Sequence, residues 1–174
     1  LKVMLVTTHT SLKSVSGLLT IKKVLEKIEL AHAAMKNDFG IKAPKIAVLG
    51  LNPHSGEAGA FGDEEIKIIN PAIKAARKKG IDAQGPYPPD TIFGKLVHKK
   101  SHDIAVCMYH DQGLIPLKLI GFESGVNVTL GLPIVRTSPD HGTAYDIAGT
   151  GIASAESMLT AFNTAVQIAQ NRLK

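Results

Sequence analysis

The chain has little cysteine, few aromatic residues and no long hydrophobic run. Cys107 is the single cysteine in 174 residues, so neither a disulfide within the chain nor a cysteine-based zinc site can form. No apolar run approaches the roughly 20 residues that a membrane-spanning helix needs, and no segment has the order of a signal peptide. These absences argue against a disulfide scaffold and a membrane span, and they predict a protein of the reducing cytoplasm.

Three common catalytic and nucleotide-binding motifs are also missing. The glycine-rich stretch 56–62 lacks the Lys-Ser/Thr pair of a P-loop, and no Gly-x-Gly-x-x-Gly opens a helix after a strand. No Gly-x-Ser-x-Gly elbow occurs, and Cys107 lies inside an apolar run, which is typical of a core residue rather than a nucleophile. P-loop nucleotide binding, a Rossmann fingerprint and serine-hydrolase chemistry are therefore not expected.

The net charge of +5, with the histidines neutral, favours anionic partners. The lysines and arginines are scattered over helical segments, and in 64–79 the acids precede the bases, which complements the dipole of that helix. Aromatic residues make up 5% of the chain and do not interleave with the bases, as stacking on nucleobases would require. We expect a small anionic ligand and no nucleic acid.

Apolar, β-rich runs alternate with segments of helical period. The predicted strands are 3–6, 46–51, 104–108, 126–130 and 134–137. The predicted helices are 21–35, 64–79 with a kink at Pro71, 90–98 with Asp90 as a cap, and 153–173. Turns are expected at 7–16 and 85–89. Because the strands are continuously apolar and separated by helices, the pattern predicts an α/β fold in which helices cover both faces of a mainly parallel sheet.

Four of the seven histidines follow predicted strands: His9, His54, His110 and His141. Because ligand sites form at the carboxyl ends of parallel strands, these imidazoles are candidate ligands of one divalent metal ion. The Asp111 carboxylate could orient the imidazole of the neighbouring His110. Taken singly, each histidine is better explained as a turn residue or a satisfied hydrogen-bonding group, and only their shared position after strands makes the metal interpretation equal to this one. The other three, His32, His98 and His102, are interpreted as solvated helix residues.

Two cations follow apolar runs, which suits a phosphate or carboxylate site. They are Lys118 and Arg136, and each could instead be a side chain that reaches solvent from the end of an element. Asn127 is a polar break in a predicted strand and could offer its amide to a ligand. Residues 140–144 are predicted to lead into a helix whose N-terminus could meet a phosphate.

Five ordered strings of this sequence resemble the 4-hydroxythreonine-4-phosphate dehydrogenase family. They are GLNPHSGE at 50–57, GPYPPDT at 85–91, YHDQGLIPLK at 109–118, VNVTLGLP at 126–133 and RTSPDHGTA at 136–144. The resemblance implies a fold similar to the isocitrate and isopropylmalate dehydrogenases, which bind NAD without a Rossmann fingerprint. It also implies that residues 1–174 correspond to the C-terminal half of family members, without the N-terminal half that completes their substrate pocket.

The resemblance implies a role for each matching residue. His9, His54 and His110 map onto the metal ligands, in a site that the family shares between the subunits of a homodimer. Lys118, Asn127 and Arg136 map onto substrate contacts, and Lys118 and Asp90 are the catalytic candidates. Asp140, His141, Gly142 and Thr143 are expected near the cofactor, NAD or NADP. The metal is expected to be zinc, cobalt, magnesium or manganese.

The implied reaction belongs to pyridoxal phosphate biosynthesis. The secondary alcohol of 4-phosphooxy-L-threonine is oxidised with NAD(P), and decarboxylation then gives 3-amino-2-oxopropyl phosphate. A paralogue that oxidises another phosphorylated hydroxy acid, such as a phospho-threonate or phospho-erythronate, would keep the same metal and phosphate residues. A third possibility is a fragment that dimerises and binds metal or phosphate without turnover.

Overall fold

A four-stranded parallel sheet forms the centre of the structure, a computed structural model that describes residues 1–174. Its strands are β1 (Val3–Leu5), β2 (Lys45–Leu49), β3 (Asp82–Tyr87) and β4 (Ile104–Cys107), in the spatial order β1-β4-β2-β3. Ile46 of β2 pairs with Ala83 on one side and with Ile104 on the other. Every residue of β4, and all of β2 after Lys45, is buried, as expected for strands covered on both faces.

Six α-helices accompany this sheet: α1 (Leu12–Leu18), α2 (Ile21–Asn37), α3 (Asn70–Lys78), α4 (Pro89–Lys99), α5 (His110–Gly121) and α6 (Glu156–Arg172). Helices α2 and α3 bury one face of the sheet, including Ile46, Val48 and Val106. Helix α4 buries the other face against the alternate residues, including Ala47 and Cys107. The predicted α/β fold, a mainly parallel sheet with helices on both faces, is confirmed. None of these helices is both long and apolar enough to cross a membrane.

The last part of the chain adds a separate antiparallel hairpin. Strands β5 (Val126–Thr129) and β6 (Arg136–Pro139) pair only with each other, and the Thr137 Oγ1 donates to the Ala161 carbonyl of α6 at 2.9 Å. The hairpin and α6 are tied to the main body where α2 ends. The Arg172 guanidinium donates from Nε to the buried Asp38 carboxylate at 2.6 Å and from Nη2 at 3.2 Å.

Two predictions near β3 are wrong. The expected turn at 85–89 is largely strand, because β3 continues through Gly85 and Pro86 at the edge of the sheet, where a proline does not interrupt a ladder. Asp90 does not cap α4, because Pro88 occupies the cap position and no side chain caps the helix. Asp90 is instead an exposed residue in the first turn of α4.

Two helices were not predicted. Helix α1 begins within the expected turn at 7–16 and occupies its second half. Helix α5 follows β4 directly, although it contains Gly113 and Pro116. Gly113 lies against β4, since a Cβ there would be 3.1 Å from Cys107 Sγ. The interruption expected at Pro71 is present, because a π-helical turn over Glu65–Ile69 precedes α3.

Replacing Arg172 by Gln should lower the free energy of unfolding by about 2 kcal/mol, because the Asp38 carboxylate is buried and loses its charged donors. Urea unfolding at neutral pH measures this. Lys174→Gln, a neighbouring exposed change, is the control and should leave the midpoint unchanged. Equal midpoints for both variants would show that this ion pair does not anchor α6.

Candidate metal and anion site

The carboxyl edge of the parallel sheet presents four of the predicted site residues. Because the strand order is β1-β4-β2-β3, the residues that follow these strands are met in the order His9, His110, His54 and Asp90. Ligand sites of open parallel sheets form at this edge. The structure therefore brings to one edge side chains that lie up to 101 residues apart in the sequence.

His9 and His110 lie close together at this edge. Their ring centroids are 5.7 Å apart with a tilt of 45°, and both line a cavity of about 450 Å³ together with Thr8, Ser11 and Tyr109. With metal–nitrogen bonds of about 2.1 Å, two imidazoles held by one ion at octahedral or tetrahedral angles have centroids about 4.5–5.5 Å apart. The His9–His110 separation is slightly wider than this range, and small side-chain rotations would bring both rings to one ion.

The Asp111 carboxylate lies 2.7 Å from His110 Nδ1. A carboxylate in this position fixes the ring orientation and leaves Nε2 free to coordinate, as is common for metal-binding histidines. His110 itself is the first residue of α5, a helix that was not predicted from the sequence. The predicted carboxylate partner of His110 is present in the structure.

His54 does not join the other two histidines within the chain. It lies in a turn over His54–Ala58 whose backbone is left-handed throughout, and its ring is 6.1 Å from that of Phe61. No group of three or more His, Cys, Asp or Glu side chains in the chain is arranged to hold a metal ion. One chain thus supplies a pair of candidate ligands and a third candidate at a distance.

Buried polar side chains connect the segments that carry these histidines. Thr7 Oγ1 donates to the Met108 carbonyl at 2.8 Å, and the Met108 amide donates to Gln112 Oε1 at 2.7 Å. Gln112 Nε2 in turn donates to the Gly50 carbonyl at 2.8 Å. The β1, β4 and β2 ends are therefore joined by one hydrogen-bonded chain. Sequence reasoning missed Gln112, although it lies two residues after His110.

A second buried group holds the segment that leads to His54. Glu65 is 2% exposed, and its Oε1 accepts from the amides of Leu51 at 2.7 Å and Asn52 at 2.8 Å. Its Oε2 accepts from Asn52 Nδ2 at 2.9 Å. From the sequence, this acid was predicted only to complement the helix dipole. Its spacing from Ile69 and Ile73, at i+4 and i+8, was the available signal that it lies on the buried face.

The hairpin gathers two of the predicted substrate contacts on one face. Asn127 pairs with Ser138, and Thr129 pairs with Arg136, so these four side chains lie on the same side of the ribbon. Asn127 and Arg136 are exposed. Arg136 Nη1 donates to Thr129 Oγ1 at 2.8 Å, which leaves its remaining donors for an anion.

Lys118 reaches the end of the same hairpin from α5. Its Nζ lies 3.1 Å from both the carbonyl oxygen and Oδ2 of Asp140, one residue beyond β6. Its ammonium also lies 5.9 Å from the centre of the Phe122 ring. Lys118 and Asp140, predicted for different ligands, are therefore direct partners.

The segment 140–144 differs from its prediction. It leads into a three-residue 3₁₀ turn, Tyr145–Ile147, rather than an α-helix, and α6 begins only at Glu156. His141 is exposed, with Nδ1 2.9 Å from the Gly142 carbonyl, and it follows the hairpin instead of the parallel sheet. His141, Gly142 and Thr143 form an exposed loop, and His141 does not join the histidines at the sheet edge.

Two other titratable side chains are structural. Burial raises the pKa of the Cys107 thiol, as its predicted place in the core implies. His102 was expected on a solvated surface, but it is half-buried between Ser101 Oγ at 2.9 Å and Gln84 Oε1 at 3.2 Å. Desolvation there lowers the pKa of His102. Cys107 is buried in the core, and His102 precedes β4, at the opposite end of that strand from His110.

Known proteins are similar to this chain in sequence and in fold. A 4-hydroxythreonine-4-phosphate dehydrogenase of Desulfosudis oleivorans is 57% identical over 167 residues, which are 95% of this chain and 49% of that protein. The crystal structure of the 4-hydroxythreonine-4-phosphate dehydrogenase of Klebsiella pneumoniae matches with a TM-score of 0.87 at 51% identity, over 97% of this chain and 50% of that one.

A more distant structure has a different name. The terephthalate 1,2-cis-dihydrodioldehydrogenase of Burkholderia xenovorans matches with a TM-score of 0.77 at 31% identity, over 95% of this chain and 52% of that one. The chain therefore spans about half the length of the relatives it matches. The family model described as pyridoxal phosphate biosynthetic protein PdxA matches residues 1–165, and the chain belongs to this family.

Proposed function

We propose that the chain is the metal- and phosphate-binding half of a 4-hydroxythreonine-4-phosphate dehydrogenase. The complete enzyme would oxidise the secondary alcohol of 4-phosphooxy-L-threonine with NAD or NADP, and loss of carbon dioxide would give 3-amino-2-oxopropyl phosphate. The observation that carries the proposal is the His9–His110 pair with its Asp111 partner at the carboxyl edge of the sheet. The similarity to dehydrogenases of that name supports it.

His9, His110 and His54 would hold one divalent ion, with the ligand set completed across the interface between two copies. Such an ion supplies Lewis acidity, which lowers the pKa of a bound alcohol. Asp111 keeps the His110 ring oriented, and the Thr7–Gln112 chain keeps the two strand ends in register. Zinc, cobalt, magnesium and manganese all remain candidates.

Arg136, Asn127 and Lys118 would bind the charged ends of the substrate. The guanidinium presents several donors in a planar fork that matches phosphate geometry, and Asn127 adds an amide on the same hairpin face. Lys118, held at Asp140, places a second positive charge at the end of that face and is the residue we assign to catalysis. Binding two charged ends fixes the alcohol between them.

The exposed loop with His141, Gly142 and Thr143, preceded by Asp140, is the segment we assign to the nicotinamide cofactor. These three loop residues are exposed, and the His141 Nδ1 lies 2.9 Å from the Gly142 carbonyl. Asp90 lies beyond His54 at the sheet edge and is our second catalytic candidate. A cytoplasmic location and the absence of a nucleic-acid partner remain predictions.

A second candidate function is the oxidation of another hydroxylated anion by the same site. The observation that favours it is the likeness to a protein named as a cis-dihydrodiol dehydrogenase at 31% identity. A phosphorylated hydroxy acid such as phospho-threonate or phospho-erythronate would use the same Arg136 and metal ligands. Turnover of these compounds beside 4-phosphooxy-L-threonine would distinguish the two functions.

We further propose a homodimer, because two helices expose apolar stripes. On α5, Ile115, Leu119 and Phe122 recur at helical spacing, and Leu119 is 83% and Phe122 71% exposed. On α6, Met158 and Phe162 are exposed beside the face that buries Ala161. Apolar surface of this kind is typical of interaction sites.

His110→Ala should remove divalent-metal binding without unfolding the chain, because the side chain lies at the sheet edge and outside the core. Calorimetric titration with Co²⁺ measures the stoichiometry. The control is His98→Ala, an exposed histidine in the last turn of α4. Unchanged stoichiometry in His110→Ala would contradict the ligand assignment.

Arg136→Ala, in the complete enzyme, should raise KM for the phosphorylated substrate about ten- to a hundredfold, because charge-assisted hydrogen bonds to the phosphate are lost. Metal content should not change. Arg136→Lys keeps the positive charge but loses the planar set of guanidinium donors, so its KM should lie between those of the unchanged enzyme and of Arg136→Ala. Steady-state kinetics of the three proteins measures the series, and an unchanged KM in Arg136→Ala would remove this residue from the phosphate site.

Leu119→Lys should convert a dimer to a monomer, because it places a charge on the exposed stripe of α5. Native mass spectrometry of the chain and the variant measures this. Glu123→Lys, an exposed change close to the stripe, is the control and should remain dimeric. A monomeric unchanged chain would contradict self-association of this half.

A further inference from the structure

We infer that Glu65 is a positioning residue that holds the loop of His54 in its left-handed conformation, an inference that rests on the proposed metal site. Glu65 is almost fully buried, yet no cation lies within ion-pair distance of its carboxylate. All its hydrogen bonds within the protein go instead to Leu51 and Asn52, the residues that leave β2. A buried carboxylate with only these partners indicates a dedicated local role.

The loop needs such support because its backbone is unfavourable. His54, Ser55, Glu57 and Ala58 have φ between 39° and 55°, and Gly56 between them has φ of 81°. Residues other than glycine avoid this region, because their Cβ crowds the following carbonyl oxygen. Four such residues in five indicate that contacts from outside the turn maintain it.

Glu65 contacts the chain before the turn and again at the middle of the turn. It binds the two amides that precede the turn, and the turn then folds back over the same carboxylate. At Gly56 an added Cβ would lie 2.6 Å from Glu65 Oε2, and at Gly50 it would lie 3.0 Å from Oε1. The glycines at these two positions therefore leave room for the carboxylate, and the backbone closes around it.

The support itself is rigid. Glu65 begins the π-helical turn that continues into α3, and Ile69, Ala72 and Ile73 of this segment are buried in the core. Asn52 is held further by Glu64, because its Nδ2 also donates to Glu64 Oε2 at 2.7 Å. Glu65 thus connects the segment that carries His54 to the hydrophobic core.

Glu65→Gln tests this role, since it keeps the shape and one acceptor oxygen but turns an NH₂ group toward the NH₂ of Asn52. We expect the Co²⁺ affinity of the chain to fall about ten- to a hundredfold, the range for residues that orient metal ligands. Glu57→Gln, an exposed acid in the same turn, is the matched control and should bind Co²⁺ normally. Far-ultraviolet circular dichroism verifies that each variant folds.

A double-mutant comparison separates positioning from general damage. In a His54→Ala background, Glu65→Gln should have no further effect on Co²⁺ affinity, whereas damage to the whole edge would weaken the His9–His110 pair as well. Gly56→Ala, which pushes a Cβ into the carboxylate, provides a second variant if Glu65→Gln does not fold. It should weaken Co²⁺ binding in the same direction. Normal Co²⁺ affinity in both variants would overturn the inference.

The metal-free chain gives an independent readout. The backbone amide resonances of residues 51–58 should shift in Glu65→Gln. In Glu57→Gln they should be unchanged except at the substituted residue. Unchanged resonances in Glu65→Gln would overturn the role of Glu65 in holding the loop, independently of any metal binding. If His54→Ala binds Co²⁺ normally, His54 is not a ligand, and Glu65 does not position a metal ligand. If the unchanged chain binds no Co²⁺, the proposed metal site in this half fails, and the resonances still decide the anchor.

Discussion

The carboxyl edge of the sheet depends on the hydrogen bonding of backbone groups that are buried where β2 and β4 end. Such groups are costly if they lack partners, and the strand ladder no longer supplies them beyond its last residue. Gln112 satisfies both Met108 and Gly50, and Glu65 satisfies Leu51 and Asn52. These few polar side chains determine the paths of the segments that carry His110 and His54.

The same constraint explains why the candidate ligands are arranged unequally. His9 and His110 leave adjacent strands by short paths, so their rings meet at 5.7 Å. His54 leaves β2 by a loop that first wraps around the Glu65 carboxylate, and it lies apart from the pair. The chain spans about half of its relatives' length, and apolar side chains are exposed on α5 and α6.

The anion-binding candidates have a different structural origin from the metal candidates. Arg136 and Asn127 lie on one hairpin face, because antiparallel pairing places Arg136 opposite Thr129, two residues after Asn127. Lys118 contacts Asp140, the residue that follows the same hairpin. Helix α6 supports the hairpin from behind and is fastened to α2 by the Asp38–Arg172 ion pair. The candidate metal ligands and the candidate anion-binding residues thus lie on two substructures, the parallel sheet and the hairpin, which are linked by α5 and by the Asp38–Arg172 ion pair.

Sequence alone determined the features that depend on local pattern. Continuous apolar runs identified β1, β2 and β4, because strands buried on both faces have no polar alternation, and helical spacing identified α2, the 64–79 segment and most of α6. The placement of His9, His54 and His110 after strands followed from the same pattern. Glycine and proline masked β3 and α5, because their local propensities oppose an edge strand and a helix that tertiary packing nonetheless stabilises.

Only the tertiary structure decided which candidates meet. The strand order placed β4 between β1 and β2, which paired His9 with His110 and separated His141 onto the hairpin side. Burial of Glu65 and Gln112 depends on contacts across 13 to 62 residues of sequence, and no local pattern encodes such distances. Residue types and spacing therefore predicted the chemistry of the candidate site, whereas its geometry required the fold, because long-range packing alone brings distant side chains within bonding distance.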